Sequence, residues 1–186
     1  MNFNEHWELK GKHSFLSASG YSWSNYTEEK FKEVYKNQIA KVRGTKLHEL
    51  AKDAIKLKVH LPRSRRTLDS YVNDAIGFGL IPEQPLAYSK RAFGTADAIG
   101  IHKDVLRIHD LKTGATPAKM RQLEIYAAYF CLEYDITPFE IPMELRIYQG
   151  DEVAVLNPDP VAISEIMKKI ELFDAIMEEM ENDAAI

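Results

Sequence analysis

Gly94–Gly114, GTADAIGIHKDVLRIHDLKTG, reads as two strands joined by a turn. RAFGTADAIGI and VLRIHDLKT alternate as half-buried strands do, and HKD between them is short enough for a hairpin loop. On a strand, side chains at i and i+2 share a face, so Asp110 and Lys112 point the same way as Leu106 and Ile108. That face changes from apolar to charged at its carboxyl end. Asp97 stands in the preceding strand, and a short hairpin brings positions on either side of its turn within reach of each other. Two carboxylates and one ammonium thus converge where apolar residues should continue the alternation.

Downstream, KMRQLEIYAAYFCLEY has the helical period, with Met120, Leu123, Ala127, Phe130 and Tyr134 on one stripe. MELRIYQ and EVAVLN form a second hairpin around Gly150, and a helix closes the chain from about Pro160. Upstream, SFLSASGYSWSNY has no clear period and reads as an ordered loop. Thr27 is the expected N-cap of a helix through Phe31, Val34, Tyr35, Ile39 and Val42 that stops near Gly44. A second helix starts there, with Leu47, Leu50, Ala51, Ala54 and Leu57 at helical spacing, and a third, TLDSYVNDAIGFG, takes Thr67 as its cap. These elements predict one α/β (α+β) domain over residues 1–186: a helical part over 1–80, a sheet with its helix over 90–158, and a last helix over 160–186.

Composition fits such a domain. A hydrophobic fraction of 45% over 186 residues can build a core, and 28% charged residues suit a soluble chain. No apolar run approaches the roughly 20 residues a membrane span needs, and MNFNEHWELKGK has no hydrophobic leader core, so the reading is a non-exported protein without a membrane partner. A lone cysteine, Cys131, fits a reducing cytoplasm. The net charge of −4 does not advertise nucleic-acid binding, yet acids at a metal site and in the tail can dominate the sum while a local basic patch touches phosphates. PRSRRT, with Arg63, Arg65 and Arg66, is the densest such patch; the alternative is a solvated loop.

Carboxylate oxygens suit Mg²⁺ or Mn²⁺, which keep water and phosphate oxygens as their remaining ligands. A lysine beside such an ion can orient an attacking water, the logic of metal-assisted phosphodiester hydrolysis. The competing reading of Asp110 and Lys112 is a surface ion pair worth about 0–1 kcal/mol.

Four short motifs occur in one order: GTKLH (Gly44–His48), GTAD (Gly94–Asp97), DLK (Asp110–Lys112) followed by TG, and QLEIYA (Gln122–Ala127). Together they resemble the PD-(D/E)XK nuclease superfamily, and within it the RecB-like branch of phage and recombination exonucleases. The resemblance covers roughly residues 13 to 130. It implies a restriction-endonuclease-like core, a central mixed β-sheet flanked by helices. It also implies that His48, Asp97, Asp110 and the backbone carbonyl of Leu111 ligate one or two Mg²⁺ or Mn²⁺ ions, and that Lys112 serves the attacking water. Gln122 and Tyr126, four apart and so on one helical face, would position Lys112 and the DNA strand. Read alone, His48 is more simply a packed histidine, and Gln122 with Tyr126 a polar helix boundary.

CRISPR-associated relatives carry an iron–sulfur cluster held by four cysteines, so with Cys131 alone no iron–sulfur cluster is expected. Ala96 stands where the superfamily name has proline. The implied function is an exonuclease acting on DNA in recombination, repair or replication, in the host cytoplasm if phage-encoded. A structure-selective or nicking endonuclease, or a non-catalytic DNA-binding or interaction module, are the alternatives. The implied partners are DNA and a separate recombinase, single-strand-binding protein or helicase, with homo-oligomers known among relatives; no P-loop ATPase motif is present in this chain.

Overall fold

The computed structural model describes residues 4–184. The chain divides into two compact units, Met1–Val42 and Arg43–Ile186, with the boundary inside the first long helix. In the first unit, short 3₁₀ turns at Trp7–Leu9 and Tyr21–Asn25 precede α1, Glu28–Lys56. Thr27 is the expected N-cap, its hydroxyl accepting from the Lys30 amide at 3.3 Å. Phe15 packs edge-on against Phe31 and Tyr35 of that helix.

The second unit is a five-stranded sheet with helices on both faces. Its strands are β1 (Ile81–Ala87), β2 (Phe93–His102), β3 (Val105–Leu111), β4 (Met143–Gln149) and β5 (Glu152–Leu156), in the spatial order of the chain. All neighbours are antiparallel except β3 and β4, which are parallel and joined through α3 (Arg121–Tyr134). The expected mixed sheet is therefore present. Both anticipated hairpins form. Lys103 and Asp104 both take positive φ, 51° and 61°, which gives β2–β3 a two-residue turn matched to the strand twist.

One face of the sheet packs Leu106, Ile108, Leu145 and Ile147 against α3 and α4 (Pro160–Ala184). The other packs Ala98, Leu111 and Tyr148 against Ala51, Ala54 and Ile55 of α1 and Tyr71, Val72 and Ala75 of α2 (Thr67–Phe78). Residues 185 and 186 of the last expected helix lie outside the described residues.

Four expectations need correction. The helix does not stop at Gly44; α1 runs through it. Gly44 is buried, and a Cβ there would lie 2.7 Å from Thr113 Oγ1, so the glycine marks a close approach to the DLKTG segment and not a terminus. Thr67 is the first helical residue of α2 and does not cap it. The cap comes from far away in sequence: Asp151 Oδ1 accepts from the Thr67 amide at 2.8 Å. Of the apolar residues at helical spacing, Tyr35, Ile39, Val42, Leu50, Leu57 and Tyr134 are exposed, while Ile55 is buried. Finally, β1 was not anticipated, because Pro82 and Pro85 remove two ladder donors from IPEQPLA; it forms because it is an edge strand, where such losses are tolerated.

Candidate active site

Three strands each bring an acid to the same end of the sheet: Glu83, Asp97 and Asp110. Pro82 pairs with Ala98 and Gln84 with Ala96, so Glu83 stands opposite Asp97. Ala98 is the last residue of β2 to pair with β3, opposite His109, so Asp97 and Asp110 follow directly beyond the end of that ladder, close enough for Asp110 to act on the Asp97 carboxyl. Beyond it the Leu111 amide donates 2.9 Å to Asp97 Oδ2, so a side chain takes over from the backbone where the strands part. Glu83 carries φ +53°, an uncommon conformation for a non-glycine residue, and it does so at this end of the sheet.

α1 brings His48 to the same place. Its Nδ1 lies 3.4 Å from Asp97 Oδ2, and one ligand atom each from His48, Glu83 and Asp97 all fall within 4.8 Å of one another. Asp110 continues the face of Leu106 and Ile108, as expected from its spacing, and is buried. Its Oδ1 accepts from Lys112 Nζ at 2.9 Å, whereas its Oδ2 is buried without a hydrogen-bond partner.

Lys112 is held by a second group as well. Gln122 Oε1, in the first turn of α3, accepts from the same ammonium at 2.9 Å, and Gln122 Nε2 donates 3.1 Å to Tyr126 Oη. The chain Asp110–Lys112–Gln122–Tyr126 thus links the strand to the helix as the (i, i+4) spacing anticipated. Gly94 fits the same arrangement: a Cβ on it would lie 2.9 Å from Tyr126 Cε1. The loop between Lys112 and α3 is fastened by Gln149 at the end of β4. Its Oε1 accepts from the Ala118 amide at 3.0 Å, and its Nε2 donates to the carbonyls of Gly114 and Thr116.

The electrostatics of this end of the sheet are those of a carboxylate cluster short of positive charge. Burial first, then the neighbouring Asp110, pushes Asp97 up from 3.8 to about 6, against the opposing pull of the Leu111 amide, His48 and Lys112. Burial also raises Asp110, although Lys112 works against it. Tyr71, buried on α2, has its hydroxyl raised well above 10 by burial and then by Asp97, Asp110 and Glu83. A cation among these acids would ionise both aspartates and give the orphaned Asp110 oxygen a partner, so the donor set fits a hard divalent ion.

Of the residues singled out from the sequence, His48, Asp97, Asp110, Lys112, Gln122 and Tyr126 come together. Leu111 contributes its amide to Asp97, and its side chain is in the core. Arg63, Arg65 and Arg66 lie in the exposed α1–α2 loop, outside this cluster. Glu83 was missed, because the strand bearing it was not recognised; an acid flanked closely by two prolines ahead of a strand pair is the only trace it leaves. No protein-family model matches the chain, and no curated protein matches it. Among the described residues, no helix is long and apolar enough to cross a membrane.

Proposed function

We propose that the protein is a Mg²⁺- or Mn²⁺-dependent deoxyribonuclease of the PD-(D/E)XK kind, in its RecB-like branch, and that it hydrolyses DNA from ends. The observation that carries this is the Lys112 ammonium held at 2.9 Å from both Asp110 and Gln122, beside a cluster of Glu83, Asp97 and His48. A surface ion pair has no need of a buried partner, a second acceptor and a neighbouring carboxylate cluster.

In this reading His48, Glu83, Asp97 and Asp110 hold the ion, together with the Leu111 carbonyl that the resemblance implies. Glu83 is an addition to that set. The ion, when bound, neutralises charge on the scissile phosphate and lowers the pKa of coordinated water. Lys112 has three N–H donors and spends two on Asp110 and Gln122; the third is left for the attacking water or a phosphate oxygen. Asp110 and Gln122 both hold the ammonium, so it need not be reoriented as the reaction proceeds. Tyr126 Oη accepts from Gln122 and keeps its own proton to donate to the strand being cut.

The test is incubation with end-labelled linear DNA and with covalently closed circles in Mg²⁺, Mn²⁺ or EDTA, alongside Asp110→Asn. Linear DNA is expected to be consumed from its ends, with circles spared and no cleavage in EDTA or by the variant. Linearisation of a supercoiled circle would reassign the protein to the endonucleases. Intact substrate under every metal, or full activity in Asp110→Asn, would remove the proposal.

A further inference from the structure

The α1–α2 loop is acid-free and cationic. From Ala54 to Leu68 the chain contains Lys56, Lys58, His60, Arg63, Arg65 and Arg66 and no carboxylate, in a protein whose net charge is −4. These side chains are exposed. Arg91, Arg107, Arg121 and Arg146, by contrast, each hold a carboxylate. Among the described residues no ion pair involves Lys56, Lys58, Arg63 or Arg65.

The loop is nonetheless fastened by hydrogen bonds to α2. Asn73 of α2 grips Leu61 on both sides: its Oδ1 accepts from the Leu61 amide at 3.0 Å, and its Nδ2 donates to the Leu61 carbonyl at 3.0 Å. Ser64 Oγ donates 2.6 Å to Asp69, the first acid beyond the loop, and accepts from the Arg66 amide. A cleft of about 430 Å³ opens beside it, lined by His60, Leu61, Arg63 and Asn73. Unpaired cations on a backbone fixed in this way are held ready for anions brought from outside, with little ordering cost left to binding.

Its position gives those anions an identity. Thr67, at the loop's end, exchanges hydrogen bonds with Asp151 in the β4–β5 turn. Gln149, two residues before Asp151, holds the loop that follows Lys112, and the Lys112 amide itself donates to the Tyr148 carbonyl. The cationic loop and the lysine of the active site are therefore fastened to the same end of β4. A phosphodiester strand reaching the acid cluster meets repulsion there, and a neighbouring acid-free basic segment is what offsets it.

We infer that the α1–α2 loop, through Lys58, Arg63 and Arg65 with Lys56 beside them, is a subsite for phosphates of the nucleic-acid strand outside the bond being cut. This rests on the nuclease reading of the adjacent site. It differs from that site in taking no part in the chemistry.

The experiment is fluorescence anisotropy of the full chain with a labelled duplex in EDTA, over 50 to 200 mM salt, roughly the range in which phosphate contacts dominate affinity. The variants are Lys58→Gln/Arg63→Gln/Arg65→Gln and the charge-keeping Arg63→Lys/Arg65→Lys. The first is expected to bind more weakly and to lose up to about 0.9 of the log–log salt slope per contact removed, and the second to keep the wild-type slope. An unchanged slope in the triple variant overturns the subsite, as does failure of the wild type to bind the duplex. So does binding to phosphatidylserine vesicles that the triple variant loses while its DNA binding is intact. Cleavage is scored separately in Mg²⁺: wild-type cleavage with an unchanged slope rejects the subsite alone, and a lowered slope without wild-type cleavage rejects the nuclease reading alone.

Discussion

The carboxylate cluster stores a measurable instability, and Asp97→Asn should release it. In the folded chain burial and Asp110 hold the Asp97 carboxyl at about 6, against 3.8 for an unperturbed one. The folded state therefore binds that proton more tightly than the unfolded state does. The group's favourable contribution is fully present below about pH 4 and is lost as pH rises through about 6, reaching up to roughly 3 kcal/mol above that. Asp110, also raised, acts in the same direction. Carboxylates held low elsewhere, such as Glu144 beside Arg107 and Arg146, stabilise as pH rises, so the wild-type curve alone mixes both signs. The difference between wild type and Asp97→Asn isolates the site. The asparagine oxygen can still accept from the Leu111 amide, and the variant carries no charge to titrate. In EDTA, chemical denaturation should find Asp97→Asn more stable than wild type at pH 7.5, by about 1–3 kcal/mol, and nearly equal at pH 4. In Mn²⁺ the order should reverse at pH 7.5, since the wild type gains a bound ion and the variant loses a charged ligand. The metal-dependent gain should fade below about pH 6 as protons compete for Asp97. A wild type that is the more stable at pH 7.5 in EDTA would refute the account of the cluster.

On the proposed nuclease reading, in which the ammonium serves the water and phosphate and not the ion, Lys112→Ala should keep metal binding by calorimetry and lose about 10²–10⁴-fold in turnover. Collapse of metal affinity with cleavage intact would assign the lysine wrongly. On the same reading, Gln149→Ala should lower turnover while leaving DNA affinity unchanged, since it removes the three hydrogen bonds holding residues 114–118. Its specific mark is amide exchange at Ala118 roughly tenfold faster than wild type, as expected for about 1.4 kcal/mol of lost local bonding; unchanged exchange would sink the positioning role.

What could be read from the sequence followed from local rules. The GTAD–DLK hairpin announced itself by alternation interrupted by a turn, and the QLEIYA helix by a stripe with polar residues four apart. Local rules also misled. A glycine flanked by helical periods usually marks an end, yet Gly44 sits inside α1 because Thr113, 69 positions on, leaves no room for a Cβ. Thr67 looked like a cap because Thr commonly is one, whereas the carboxylate that caps α2 belongs to Asp151, in another hairpin. In both cases the deciding partner is brought in by tertiary structure, which no window along the chain contains.

Glu83 shows the same limit at the functional site. Its strand has two prolines in seven residues, so its backbone speaks against a strand, and only the edge position next to β2 makes the pairing affordable. Once paired, register alone sets Glu83 across from Asp97. The positive φ at Glu83 then has a reason it would lack in an ordinary edge strand: an acid is held against Asp97, which is already reluctant to ionise. Such an arrangement is costly in the absence of a cation and favourable in its presence. The chain keeps a strained backbone and a repulsive cluster at the one place where Lys112 is also held by two acceptors. A protein that used this end of the sheet only for packing would gain stability from Asn or Gln at all three positions. The acids themselves, more than any motif, are the argument that an ion belongs among them.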